Sequence, residues 1–511
     1  MRKANPVPLF FLVILTVNLA LPQTAGVLNA GCGCADLLNE LDAKIRENHS
    51  AYHIEIKGKR DKEYSENLSR LRLLAEKTPV QDCVKLLKQF LNYYKDGHLY
   101  IGQSPDLTEN EKNVLKLKAE VIKRSEAELR SYFDKQARKL DPIEGIWFVK
   151  DGSRFAIFED EGSKERDFVA VPLSGENANW DAGHVKAEFR KLSDGSYDVV
   201  YFDGNHFPLY PGAYKWGQQG GAAIRRGLIL HIPPFSWGKE YPARKNLFNF
   251  IDPNDPRRPT IRIVDDSTIL ISIPSHVPEY ASDLNEFVDT NQEAFANSDT
   301  LIIDLRGNEG GSSWITNVLM PYIETSSVNS PKYWVNDEEV VLSSPRNIRY
   351  FKGVESQGWL PKDLIKRLEE HPGELVPFND PPKDAAVPPD VPDVMGMAKP
   401  RNVAVLIDDS IVSAGEAFII RLMKSKKVTL FGENTAGVID YRSTSGVSLA
   451  SCPHLGIYLG YPMFAASKRL PAGGVNATGV EPDVRIDEEE KDPVRFIIDY
   501  FKSESAKKPE R

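Results

Sequence analysis

Leu301-Ile302-Ile303-Asp304-Leu305-Arg306-Gly307-Asn308-Glu309-Gly310-Gly311 decides how the second half of this chain folds. The segment 301–305, apolar apart from Asp304, reads as a strand buried on both faces, the pattern of a parallel sheet covered by helices. The run then breaks into glycine, and Ser312-Ser313 reads as the opening of a helix. Glycines at such a place let backbone N–H groups face a ligand with no Cβ in the way. A plain tight turn before a helix is the competing reading.

Working outward, 268–273 reads as a strand and 283–296 as a helix. A second buried strand at 403–407 leads into a helix at 414–423, and 428–431 is a third. Strands alternating with helices predict a mostly parallel α/β sheet over residues 258–500. A Pro-rich insertion at about 330–400 interrupts it and reads as a surface excursion. Upstream, residues 141–257 are rich in aromatic and β-branched residues. Asp151-Gly152-Ser153, Ser193-Asp194-Gly195 and Asp203-Gly204-Asn205 read as hairpin turns. This predicts a small all-β domain, a barrel or a sandwich. Residues 32–140 read as a helical N-terminal domain, with Leu37, Leu38, Leu41 and Ile45 at helical spacing.

The chain has 511 residues, 64 Lys+Arg and 73 Asp+Glu, a formal charge of −9. That acidic balance argues against nucleic acid as a partner, since phosphate binding wants clustered cations. Four cysteines and nine histidines exclude a Cys-rich metal cluster and leave few imidazoles for chemistry.

Arg2 and Lys3 precede a short apolar run at 8–21 that breaks at Pro22. This is the pattern of a secretory signal, so residues 1–31 are expected to direct export, with cleavage near Ala25. Lipid attachment at Cys32 is a second reading, and would be the chain's only membrane contact. The expected location is the periplasm, an outer-membrane lipoprotein or the cell exterior. In an oxidising compartment Cys34 with Cys83, or Cys32 with Cys83, is a reasonable disulfide, with Cys452 an outlier.

A second segment also follows a buried strand and opens a helix: Asp408-Asp409-Ser410-Ile411-Val412-Ser413-Ala414-Gly415-Glu416. Ser413 at a helix N-terminus suits a nucleophile with a backbone oxyanion site. The bland alternative is a capping box, Ser413 with Glu416, and no chemistry.

Taken together, LIIDLRGNEGG, VLIDDSIVSAGEAF, GENTAG and GVEPD, in that order from Leu301 to Asp483, resemble the C-terminal processing peptidases, or tail-specific proteases, and their tricorn-like relatives. The resemblance implies a crotonase/ClpP-like α/β fold and a serine-type peptidase that acts on a peptide or protein substrate. It implies Ser413 as nucleophile, Gly310, Gly311 and the N–H of Ala414 as the oxyanion hole, and no metal or organic cofactor. One departure stands out. The family's Ser–Lys branch has a lysine where this chain has Val438, so a serine–lysine pair is not expected.

A serine still needs a base within hydrogen-bond reach. His98, in Tyr94-Lys95-Asp96-Gly97-His98-Leu99, is the expected base by its likeness to the D-x-H element of tricorn-like peptidases; His276 is a weaker candidate. The acidic third residue of those relatives would fall at Asn476. An amide there can orient an imidazole but carries no charge for it. The peptide is expected to add as a strand to a sheet edge. The other reading is a catalytically inactive binding protein of the same fold, holding a peptide or an apolar ligand.

Overall fold

The computed structural model describes residues 32–174, 180–193, 195–210, 222–225, 229–232, 235–242, 252, 254–324, 339–379, 396–486, 490 and 492–507. The export segment 1–31, Asp194 of one expected turn and the Pro-rich stretch 380–395 lie outside them. Three sheets organise the chain.

The first sheet carries the stretch that opened the sequence analysis. Its strands lie in the order Thr260–Asp265, Thr268–Ser272, Thr300–Asp304, Asn402–Ile407, Val428–Gly432, Val484–Arg485. The first pair is antiparallel and every later pair is parallel. Side chains alternate between faces with period two, which divides the apolar runs between two cores. Ile269, Ile271, Leu301, Ile303 and Val405 pack toward Leu284 of helix Ala281–Thr290 and Phe418 and Ile419 of helix Ala414–Leu422. Leu270, Ile302, Ala404 and Leu406 pack on the other face with Val494 and Ile497 of helix Pro493–Lys507. Each fully buried Leu or Ile contributes about 1.5–3 kcal/mol of transfer free energy, so coverage of both faces fixes the register. The helix expected at 283–296 divides at Asn291 into Ala281–Thr290 and Gln292–Asn297. The Asn291 side chain donates to the Phe287 carbonyl, the local competition that disfavours Asn inside helices.

The second sheet is antiparallel and nine-stranded, from Gly145–Phe148 to Phe235–Tyr241. A bridge between Tyr197 and Ala222 joins its two ends, so it curls into a barrel rather than a sandwich. Trp147, Phe189 and Trp237 fill the inside.

The third sheet is built from distant parts of the chain. Ile457–Ala465 pairs with Tyr100–Gln103, Val340–Leu342 and Tyr441–Ser448, and Leu375–Pro377 pairs with Val340–Leu342. Its core is shared with helices Cys34–Asn48, Asp61–Ala75 and Cys83–Leu91: Leu37, Leu41 and Leu87 pack in one cluster with Leu459, Tyr461 and Phe464. The helical segment is therefore not a unit closing at 140. Its first part shares a core with the C-terminal half, while Leu129 and Phe133 of helix Glu126–Gln136 pack with Ile146 and Phe158 of the barrel. The insertion is likewise more than a surface excursion. Val340–Leu342 is a fully buried strand, and helix Pro345–Val354 buries Phe351. The apolar Val340-Val341-Leu342 run overrides the surrounding prolines.

Cys34 is bonded to Cys83, and Cys32 to Cys452. Cys452 is thus no outlier. A Cys32 sulfur spent in a disulfide has no thiol for a lipid thioether, so this pairing stands against the second reading, lipid attachment at Cys32. Among the described residues no helix is long and apolar enough to cross a membrane.

Candidate active site

Ser413 stands between strand Asn402–Ile407 and helix Ala414–Leu422, at φ 55° and ψ −119°. That region is nearly closed to residues with a Cβ and costs of order 1–3 kcal/mol. The surroundings hold it there through backbone contacts. Ser413 N–H donates to the Val438 carbonyl at 3.0 Å, Val412 N–H to Asn308 O at 3.1 Å, and Ala436 N–H to Ile411 O at 3.0 Å. The capping-box reading fails, because the Ser413 side chain caps nothing. The Glu416 carboxylate instead turns to Thr435 Oγ1 (2.5 Å), Gly437 N–H (2.7 Å) and Val438 N–H (2.6 Å). Burial pushes the Glu416 pKa up to about 7, against the pull of those three donors. Glu416 thereby ties the nucleophile helix to the loop that carries Val438.

The glycine loop lies against the serine. A Cβ on Gly310 would stand 2.8 Å from the Ser413 Cβ and 3.3 Å from the Ala414 nitrogen. Asn308, fully buried, organises this loop. Its Oδ1 accepts Gly310 N–H at 2.9 Å and faces His276 Nδ1 at 3.0 Å, while its Nδ2 donates to Ile273 O at 2.6 Å. A Cβ on Gly415 would lie 2.7 Å from that same Oδ1, which explains a glycine two residues after the serine. The Gly310 N–H is therefore already engaged, and the expected oxyanion set contracts. Gly311 and Ala414 N–H groups donate to no protein acceptor among the described residues.

His98 arrives from the other end of the chain. Its Nε2 lies 2.9 Å from Ser413 Oγ. Burial pushes its pKa below the ordinary 6.5, so the ring is neutral at pH 7 and able to accept a proton. The Asp96 charge and the nearby Tyr441 carbonyl pull the other way. Asp96 Oδ1 accepts the His98 backbone N–H at 2.9 Å, and its Oδ2 meets His49 Nε2 at 2.9 Å, both side chains being buried. Strand Tyr100–Gln103 fixes the turn from its far side. A Cβ on Gly97 would stand 2.7 Å from Val438 Cγ1. The residue at the lysine position therefore forms the packing contact between the base turn and the serine loop.

Asn476 does not meet the His98 ring. Its amide donates to the Lys95 carbonyl at 3.1 Å, its backbone N–H to Asp440, and no hydrogen bond joins it to His98. A negative charge beside His98 comes from Asp96, two residues before it. Spacing did contain that signal, since an acid two residues ahead of a histidine can bind its backbone N–H and lie close by. His276 is excluded as the base. It is fully buried against Asn308 and Phe418, and burial pushes its pKa down to about 4. Among the described residues no group of three or more His, Cys, Asp or Glu side chains is placed to hold a metal ion.

Comparison with curated protein sequences gives no match. Similar solved structures include mature CPAF complexed with lactacystin (13% identity, 92% of this chain and 97% of that chain, TM-score 0.44). A photosystem II D1 C-terminal processing protease follows at 12% identity, 90% and 94% coverage and TM-score 0.33. A lipoprotein from Streptococcus agalactiae has 16% identity, 48% and 70% coverage and TM-score 0.28. The model of peptidase family S41 matches residues 267–486, the portion that holds both the glycine loop and Ser413. The chain is thus a serine-type peptidase, and over residues 267–486 it is similar to peptidase family S41, the family of the C-terminal processing peptidases.

Proposed function

We propose that the protein is an exported endopeptidase that cleaves peptide bonds through an acyl-enzyme, with Ser413 as nucleophile and His98 as base. The observation that carries this reading is the 2.9 Å contact between His98 Nε2 and Ser413 Oγ, made while Ser413 is held at positive φ. A serine forced out of helical geometry presents its hydroxyl ahead of the helix, as at a nucleophile elbow.

His98 takes the Ser413 proton as Oγ attacks the peptide carbonyl. The developing oxyanion meets the Gly311 and Ala414 N–H groups at the helix N-terminus, where the dipole favours negative charge. The imidazolium that forms is stabilised by the Asp96 carboxylate and then protonates the leaving amine. Water attacks the acyl-enzyme with His98 again as base. Strand Tyr441–Ser448 begins beside His98 and is paired on one side only among the described residues. A substrate backbone adds to that edge as a further strand. Export is supported by the charged and apolar start of the sequence and by two disulfides, which persist in oxidising compartments. The binding-protein alternative gains no support from this site, since a non-catalytic serine has no need of strained backbone or an imidazole on its hydroxyl.

The test is labelling with a serine-directed fluorophosphonate. The native protein takes the label, and Ser413→Ala and His98→Ala do not. Equal labelling of all three proteins removes the assignment.

A further inference from the structure

One end of the barrel is open. The end of strand Gly145–Phe148, the starts of Arg154–Glu159 and Phe235–Tyr241, and the ends of Phe168–Pro172 and Tyr197–Phe202 gather around a cavity of about 430 Å³. Residues 255–257, on the way to the parallel sheet, close one side of it. The volume lies within the roughly 300–1,000 Å³ of small-molecule sites, and barrel mouths are a common place for them. Phe155 and Trp237, stacked at 4.5 Å, form its apolar surface.

The cations around the cavity fall into two kinds. Lys150 is paired with Asp255 and Glu279, Arg154 with Glu126 and Glu240, and Arg257 with Glu309 and Glu279. Lys186 is different. It is 7% exposed, its Nζ donates to the Phe202 carbonyl at 2.6 Å, and among the described residues no carboxylate is bonded to it, the Asp203 charge acting from farther off. The ammonium stands 4.1 Å from the Trp180 ring centre and 4.6 Å from that of Tyr201. An ammonium has three donors, and a buried cation without a counter-ion is costly. Burial lowers its pKa to about 8, which still leaves it charged at pH 7. Beside it Trp180, 5% exposed, has a buried indole N–H with no acceptor among the described residues. Buried donors in native structures nearly always have partners, so two under-used donors side by side in the wall of a cavity call for an acceptor that the described residues do not supply.

We propose that the barrel mouth binds a small organic carboxylate with an aromatic or aliphatic body. The carboxylate meets Lys186 and the Trp180 N–H, and the body lies on Phe155 and Trp237. A neutral ligand of the same shape would leave Lys186 with no bonded carboxylate and only the more distant Asp203 charge to offset it. The site stands independently of the peptidase reading, because none of these four residues belongs to the serine's surroundings.

Calorimetric titration of the full chain with 1-naphthylacetate, indole-3-acetate and decanoate, each beside its neutral alcohol, tests it. At least one acid is expected to bind saturably and about tenfold tighter than its alcohol, the usual margin of a charge-assisted hydrogen bond. Lys186→Met should lose that margin and Lys186→Arg should keep most of it. Ser413→Ala should bind as the native protein does, which separates this site from the peptidase centre. Fluorophosphonate labelling and thermal unfolding report whether Lys186→Met is folded, and the Lys186→Arg arm decides if it is not. The proposal is overturned if no acid binds up to millimolar concentration, if acid and alcohol bind alike, or if both Lys186 variants bind as the native protein does.

Discussion

The two halves of the candidate site are held by different means. Ser413 is fixed by backbone: its own N–H on Val438, Val412 on Asn308, and close approaches that only Gly310 and Gly415 allow. His98 is fixed by side chains: Asp96 on its N–H, His49 on Asp96, and Val438 packed against Gly97. A backbone-held group tolerates little change nearby, because the space is filled by main chain. A side-chain-held group can be retuned one residue at a time. The serine half should therefore respond to substitution as present or absent, and the histidine half by degrees.

The largest expected effect is loss of the nucleophile or its base. Ser413→Ala and His98→Ala should each lower kcat/KM on a peptide substrate by at least about a thousandfold, and the double variant should lose little more, since the pair acts as a unit. A double variant whose losses multiply would separate them. Asp96→Asn comes next, at roughly 10–100-fold in kcat, the range of a group that supports a base without replacing it. It also has a pH signature. The rate falls with acid as His98 protonates below 6.5, and the Asp96 charge raises that pKa. Removing the charge should move the acid limb to lower pH while the plateau drops. An unmoved limb would assign Asp96 to structure alone.

Glu416→Gln probes the tie between the halves. An amide in place of the carboxylate turns an NH2 toward one of the three donors, which should cost about 1–3 kcal/mol in urea unfolding. The native Glu416 has a folded pKa of about 7 against 4.5 for the free side chain. The folded state therefore holds that proton longer, and stability should fall as pH rises from about 4.5 to about 7. The Gln variant should lack this dependence. The smallest effect belongs to Asn476→Ala, which should leave the acid limb in place and change kcat by less than about threefold, as for a residue bonded to the Lys95 carbonyl and not to the imidazole. A shifted limb there would restore the residue as the orienting group.

The serine half was readable because its residues are local in sequence. Strand, glycine loop and helix start follow one another, and buried apolar runs announce their strands. The histidine half was readable only as a candidate, because nothing in its sequence says that Tyr100–Gln103 pairs with Ile457–Ala465. Asn308 was hidden inside a glycine-rich string, where its buried amide looks like a turn residue. The Cys32–Cys452 bond and the shared core of the N-terminal helices were hidden for the same reason: each joins segments hundreds of residues apart. The contact of Asn476 with the Lys95 carbonyl was hidden too, because likeness of position says nothing of where a side chain turns.

The pairing of Tyr100–Gln103 with Ile457–Ala465 also sets a timetable. Chains emerge N-terminus first, at about 5–20 residues per second. The histidine is made early, yet the strand that seats its turn is among the last pieces to appear. A nascent chain therefore carries His98 with no Ser413, then Ser413 facing a histidine turn that has no seat. The two side chains can meet only when synthesis is nearly finished.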